Sequence, residues 1–505
     1  MRATTGMPRT ATTRPAPDVE QSGEAVRAAD GGGPRAATPP AHAVLIVVAV
    51  AAGVVAQGGY YPAGRILVCA LALAAAGVAR WTGRRGEVPA SRAPDHARWL
   101  LLAAAALGLW TVLRAALAAL PPHGTGEAIL PSLAALATLA GFVAVPVVTR
   151  RLTAPHREWL AGAVLAVGAL VAVSAWAGVA WRLSRFAIRV DGRLWRGAST
   201  LTYQNATAAL LVMLAVLAIA WRAGAPRDPY RAAVGYLLLV GVGAAASRAG
   251  FLALGVGLLA LALLAGVPAT ARRLVAPLLG AAVAVGALTP SFPVHDPARP
   301  GLALAGLLVG AGIAVGPALL AGRLPRWVGL ASAVAAAAGA ALVLPRLVPA
   351  DALHAVLASR ANLASEGRTG ALHAAMKLVE ANPVTGTGVG LARFAWPTAD
   401  GNMSIALYVH NEYAQLLVDL GAIGLALLAA VLGAIVLFTR DGRRYRQTPG
   451  VRAGAIGGLL AFAAHSGFDF LWHIPVLPLV AALLVGLAGP GATEDPIPET
   501  KEEEQ

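Results

Sequence analysis

Residues 205–221 read NATAALLVMLAVLAIAW, a run that carries no charge. A helix crosses the hydrocarbon core of a bilayer with about 17–25 predominantly apolar residues, and this run meets that length. Comparable segments recur on both sides of it. They lie at about 42–58, 65–80, 98–120, 131–148, 158–181, 231–247, 250–267, 273–290, 301–322, 327–345, 413–439, 453–468 and 474–489. The pattern predicts an all-α polytopic membrane protein with about 12–14 transmembrane helices.

Composition points the same way. Of the 505 residues, 57% are hydrophobic and only 13% charged, about half the charged share of a soluble domain. The mean hydropathy is +0.67. A net charge of +15 raises the question of nucleic acid. Nucleic-acid binders gather their cations on one soluble face, however, and here Lys and Arg punctuate the apolar segments, so no nucleic-acid partner is expected. The single cysteine, Cys69, lies within an apolar run and excludes both a disulfide framework and a cysteine-based zinc site.

Five regions follow from this reading. Residues 1–41 are expected to be a disordered cytoplasmic tail, 42–344 the N-terminal transmembrane helices and 345–412 one long extracytoplasmic loop. Residues 413–489 complete the membrane helices, and 490–505 form a second polar tail. The basic loops WTGRRGEVPASRAPDHAR, TRRLTAPHRE, RAGAPRDPYR, Arg272–Arg273, GRLPR and TRDGRRYRQ all fall on one side of a fourteen-helix count. Short loops rich in Lys and Arg stay in the cytoplasm, so both termini are expected there.

That orientation leaves only short cytoplasmic loops. No GxxxxGK[ST] pattern occurs, and the glycine-rich TGTGVG stretch lies in the outer loop without a preceding strand. Polar residues instead collect on the outer side. They include Arg182, Arg185, Arg189, Arg193 and Arg196 between two spans, the turn Ser247–Arg248, and the segment Phe468 to Ile474. Guanidinium groups bind phosphate bidentately and never lose charge, so an outer anion would suit them. Interfacial arginines snorkelling to headgroups are the alternative, which the turn at Arg248 is too short to favour.

Five stretches then carry a resemblance: LTYQNATAAL, SRAGFLAL, GRTGALHAAMKLVEANPVTGTGVG, VHNEYAQLLVDLGAIG and HSGFDFLWHIP. Their order and spacing resemble the O-antigen ligase and polymerase (Wzy/WaaL-like) superfamily. The resemblance covers roughly residue 195 to the last helix. It implies a GT-C-like glycosyltransferase of the bacterial cytoplasmic membrane that moves a glycan from an undecaprenyl-pyrophosphate carrier to the hydroxyl of a glycan or lipid acceptor. Membrane lipids are its surroundings, and neither a metal nor a cofactor is implied.

By the same resemblance, Arg248 and Arg368 bind the lipid pyrophosphate and His410 is the base that activates the acceptor. Asn411 and Tyr413 stand behind that base, and Arg196 is counted with the substrate-binding residues. The family often has an aromatic four residues after the loop arginine, where this chain has Leu372, and Asp419 replaces a common Glu. The chemistry agrees with the residue types: pyrophosphate is a competent leaving group, so holding its charge and deprotonating the acceptor suffice.

Other residues are read structurally. His465 and His473 flank Asp469, and a structural His–Asp hydrogen bond is expected there. Arg114 either snorkels or enters the cavity. Gly386, Gly388 and Gly390 are expected to permit a tight turn, and Pro383 a kink. Two other functions remain open: a transporter of a small anion such as bicarbonate, and a non-catalytic component of a polysaccharide export assembly. Transporters place their sites near the midplane between repeated, broken helices, whereas here no repeat is evident and the ionisable residues lie near the outer rim.

Overall fold

The computed structural model describes residues 38–83, 96–119, 126–190, 192–321, 323, 325–361, 366–398, 401–444 and 450–492. Both expected tails fall almost wholly outside the described residues, as do parts of the basic loops at 84–95 and 445–449.

The chain is a helical membrane bundle. Its first eleven helices are α1 (Ala41–Val55), α2 (Pro62–Gly83), α3 (Ala97–Ala119), α4 (Ile129–Thr149), α5 (Ala154–Ala180), α6 (Gln204–Trp221), α7 (Pro229–Ala245), α8 (Arg248–Ala265), α9 (Val267–Leu288), α10 (Pro300–Leu320) and α11 (Arg326–Leu347). Then come α12 (Ala350–Ala361), α13 (Glu366–Ala381), α14 (Glu412–Asp441), α15 (Val451–Ser466) and α16 (Val476–Ala488). Among the described residues ten helices are long and apolar enough to cross a membrane. The shorter α1, α7, α15 and α16 also lie where the hydropathy places spans.

The run at 205–221 occupies the centre. Every residue of α6 is buried, and α5, α7, α8 and α15 pack around it. A helix apolar on all sides belongs inside a bundle, because no polar stripe gives it a face to present to water. Small residues let the helices approach: a Cβ on Gly280 of α9 would run into the Gly310 carbonyl of α10, and the reverse also holds. Without a hydrophobic force between helices in lipid, such close backbone packing supplies much of the association energy.

The two ends of the bundle differ. At one end Arg231 of α7 pairs with Glu158 of α5, His96 Nδ1 lies 2.8 Å from Asp441 Oδ1, and Arg452 Nη2 donates to the Thr439 carbonyl at 3.0 Å. Here the basic loops gather. The opposite end gathers the N-termini of α6, α8 and α14.

The linker between α11 and α14, expected as a loop, contains α12, α13 and a small antiparallel hairpin of strands Phe394–Pro397 and Met403–Ala406. It has its own apolar centre of Ala371, Ala375, Phe394, Val409 and Val418. A second hairpin, Ala187–Val190 with Leu194–Gly197, follows α5. Strands were not legible because four-residue runs carry too little periodicity. In chain order these strands are β1 to β4.

Candidate functional site

Asp469, in the turn after α15, is the centre of the polar end. Its carboxylate is fully buried. It accepts from Tyr203 Oη at 2.8 and 2.7 Å, from Asn205 Nδ2 at 2.6 Å, from the Phe470 N–H at 2.9 Å and from His410 Nδ1 at 3.0 Å. Arg368 Nη2 stands 3.7 Å from the same carboxylate. Burial pushes the Asp469 carboxyl up, but the His410 and Tyr203 hydrogen bonds and the Arg368 charge outweigh it and hold the group below the usual carboxylate range. Burial and the Asp469 anion push the Tyr203 phenol up, so it stays a donor.

An ionised carboxylate is acceptor-only, so the proton between the two groups sits on His410 Nδ1. In the neutral ring the acceptor nitrogen is then Nε2, on the side away from Asp469. The His410 backbone has φ +59, a left-handed conformation that costs a non-glycine residue free energy unless its surroundings impose it. They do so here. The Val409 N–H donates to Gln415 Oε1 at 3.0 Å, and Asn411 Oδ1 caps α14 by accepting from Tyr413 N at 3.0 Å and Ala414 N at 3.1 Å.

The expected His–Asp bond within the α15–α16 turn is replaced by two bonds across it. Asp469 pairs with His410, and His473 Nδ1 pairs with Glu412 Oε1 at 3.3 Å. His465 is buried, and neither ring nitrogen has a hydrogen-bond partner among the described residues. Hydrogen bonding inside the short turn gives way because the segment entering α14 brings His410 to Asp469 and Glu412 to His473. Between them Phe470 stacks on Tyr203 and Tyr408, with centroids at 5.2 and 4.7 Å.

Arg248 opens α8. Ser247 accepts from the Gly250 N–H at 3.2 Å as the cap and donates to Asn205 Oδ1 at 3.0 Å, which links the turn through Asn205 to Asp469. Arg248 Nη1 is buried and has no hydrogen-bond partner among the described residues, so a guanidinium donor stands ready for an anion. Arg368 lies at the start of α13 with about a third of its side chain exposed.

Three of the expected site residues make hydrogen bonds within the protein. Arg196 points inward from β2, whose residues are all buried, and donates to the Ala245 carbonyl at 3.0 Å and to Asn205 Oδ1 at 3.3 Å. Asn411 spends its carbonyl oxygen on the α14 cap, and Tyr413 Oη donates to the Ala463 carbonyl at 2.7 Å. Polar side chains in an apolar setting need protein partners, and all three have them. Tyr203 and Asn205 were missed as members of the site, although both stand in the quoted LTYQNATAAL stretch.

Arg114 holds a loop. Its Nε and Nη2 donate to the Gly386 carbonyl at 3.1 and 2.8 Å, and Nε also reaches the Thr385 carbonyl at 3.1 Å. The loop it holds fills a break in α14 at Gly421, where φ is +67. Thr387 and Gly388 donate to the freed carbonyls of Val418 and Asp419 at 2.7 and 3.0 Å, while Ala422 N–H donates to Pro383 at 2.9 Å. Irregular backbone packed into an apolar bundle survives only with such internal partners. Gly386, Gly388 and Gly390 have φ of +71, +108 and +73, as the tight turn requires.

Comparison with known proteins finds a family similar to part of the chain. The model of the O-antigen ligase family (Wzy_C) matches residues 233–429. That segment holds Arg248, Arg368 and His410, and stops short of Asp469. A search of curated proteins finds no match. The chain is therefore a polytopic helical membrane protein in which residues 233–429 are similar to the O-antigen ligase family.

Proposed function

We propose that this protein transfers a glycan from an undecaprenyl-pyrophosphate carrier to an acceptor hydroxyl on the outer side of the bacterial cytoplasmic membrane. The supporting observation is His410 held at 3.0 Å by a buried, ionised Asp469 that Arg368 also faces. His410 Nε2 takes the acceptor proton as the acceptor oxygen attacks the anomeric carbon. The bond from that carbon to the phosphate oxygen breaks, and its electron pair leaves on the carrier pyrophosphate. Arg248 and Arg368 hold the departing charge, which requires no metal. Asp469 fixes the tautomer and steadies the imidazolium; the proton then passes to solvent.

The gathering of basic residues at the opposite end of the bundle supports placing that end, with both termini, in the cytoplasm. Reconstituted protein given the undecaprenyl-pyrophosphate-linked glycan and an acceptor glycan should release carrier pyrophosphate in step with product. Vesicles that take up radiolabelled bicarbonate and show no transfer would overturn the reading.

A further inference from the structure

The hairpin β3–β4 has two faces of opposite setting. Phe394 is fully buried, and Trp396, Ser404 and Ala406 on the same face are partly covered; a Cβ on Gly370 of α13 would strike the Trp396 indole. The other face consists of Ala395, Pro397, Met403 and Ile405, continued by Leu407, and all are exposed. Met403, Ile405 and Leu407 are 62%, 69% and 53% exposed. A hairpin with one face in water alternates apolar inside with polar outside. Here the outward set is apolar throughout.

The roots of the hairpin say what covers that face. Gly390 packs against Pro131 in the first turn of α4, where Leu130 and Leu133 are exposed on the outside of a membrane-spanning helix. The other root runs through Leu407 to His410 at the start of α14. Strands rise about 3.3 Å per residue, so the exposed face stays within about 20 Å of both roots. Arg393 is exposed at the first root, the position that a headgroup-facing cation takes beside an apolar segment.

We propose that the β3–β4 hairpin is seated in the membrane, with Met403, Ile405 and Leu407 against the hydrocarbon of the leaflet at the His410 end. The apolar surface of α4 then continues onto the hairpin. Its seating fixes the height of His410 above the lipid, whatever substrate the site takes.

The test uses the full chain with Cys69→Ala and single cysteines at Met403, Ile405 or Thr385, each spin-labelled in phosphatidylcholine–phosphatidylglycerol vesicles. Collisions with oxygen, which partitions into hydrocarbon, are compared with collisions with a water-soluble nickel chelate. The labels at 403 and 405 should gain oxygen collisions and lose nickel collisions relative to the exposed loop position 385. Nickel collisions at 405 equal to those at 385 would put the face in water. Shielding from both reagents would put another protein on it, and either result overturns the proposal.

Discussion

His410 and Asp469 lie 59 residues apart in the chain, yet the Nδ1 of one stands 3.0 Å from the Oδ1 of the other, inside a pocket where the carboxylate is wholly buried. The pair decides which nitrogen of the imidazole is free, and with it the direction from which an acceptor is deprotonated. His410→Ala should lower glycan transfer by roughly 10²–10⁴-fold, the usual contribution of a general base. Asp469→Asn should lower it too, since a neutral carboxamide neither holds the imidazolium nor enforces the tautomer. Donor affinity, measured on the same purified variants, should survive in His410→Ala; wild-type turnover in that variant would remove the base assignment.

Arg248→Ala and Arg368→Ala should weaken binding of the lipid-linked donor as well as transfer. Lysine at either position should restore only part, because a point charge does not reproduce the guanidinium fork. Binding isotherms with the pyrophosphate-linked lipid check this, and full affinity in the double alanine variant would contradict it.

The two His–carboxylate pairs make opposite pH contributions. The Asp469 carboxyl is held low, so its stabilisation is present above the ordinary carboxylate value and is lost only as pH falls through the still lower folded value. Above about pH 5 it is constant. Burial pushes the His473 imidazole down, but Glu412 outweighs it and raises it above its ordinary value. That stabilisation is full below about pH 6.5 and is lost as pH rises through the raised folded value. Thermal midpoints should therefore decline on the alkaline side, and His473→Gln should flatten the decline.

Gly421→Ala should destabilise the protein by about 1–3 kcal/mol, the cost of forcing a side chain into a left-handed backbone position. A Cβ there also meets the Val384 carbonyl. Arg114→Ala should loosen the same loop by removing its clamp on Thr385 and Gly386. Thermal unfolding in one detergent measures both, and unchanged midpoints would show that the loop is held without them.

Cysteines introduced singly at Thr82, Gly224 and Thr385, with Cys69 replaced, should report orientation. All three sites are exposed at bundle ends, the first two at the basic end and the last beside α14. Only Thr385→Cys should react with an impermeant thiol reagent in intact cells. Labelling at position 82 with 385 protected would reverse the proposed topology.

The sequence by itself determined the spans, because a helix in lipid must satisfy its own backbone and cover itself with apolar side chains, and both demands are local. The run at 205–221 could be read without knowing what surrounds it. Arg248, Arg368 and His410 were proposed through short motifs whose order along the chain survives in a single sequence. What Asp469 touches was not legible: its nearest charged neighbours in the chain invited a bond to His465 or His473, and only the fold brought His410, just before α14, to the turn after α15. Arg114, Gly421 and the TGTGVG turn likewise acquired their tasks from one another. Tertiary structure decided these pairings because a buried polar group takes whichever partner the helices deliver to it, and separation along the chain carries no record of that delivery.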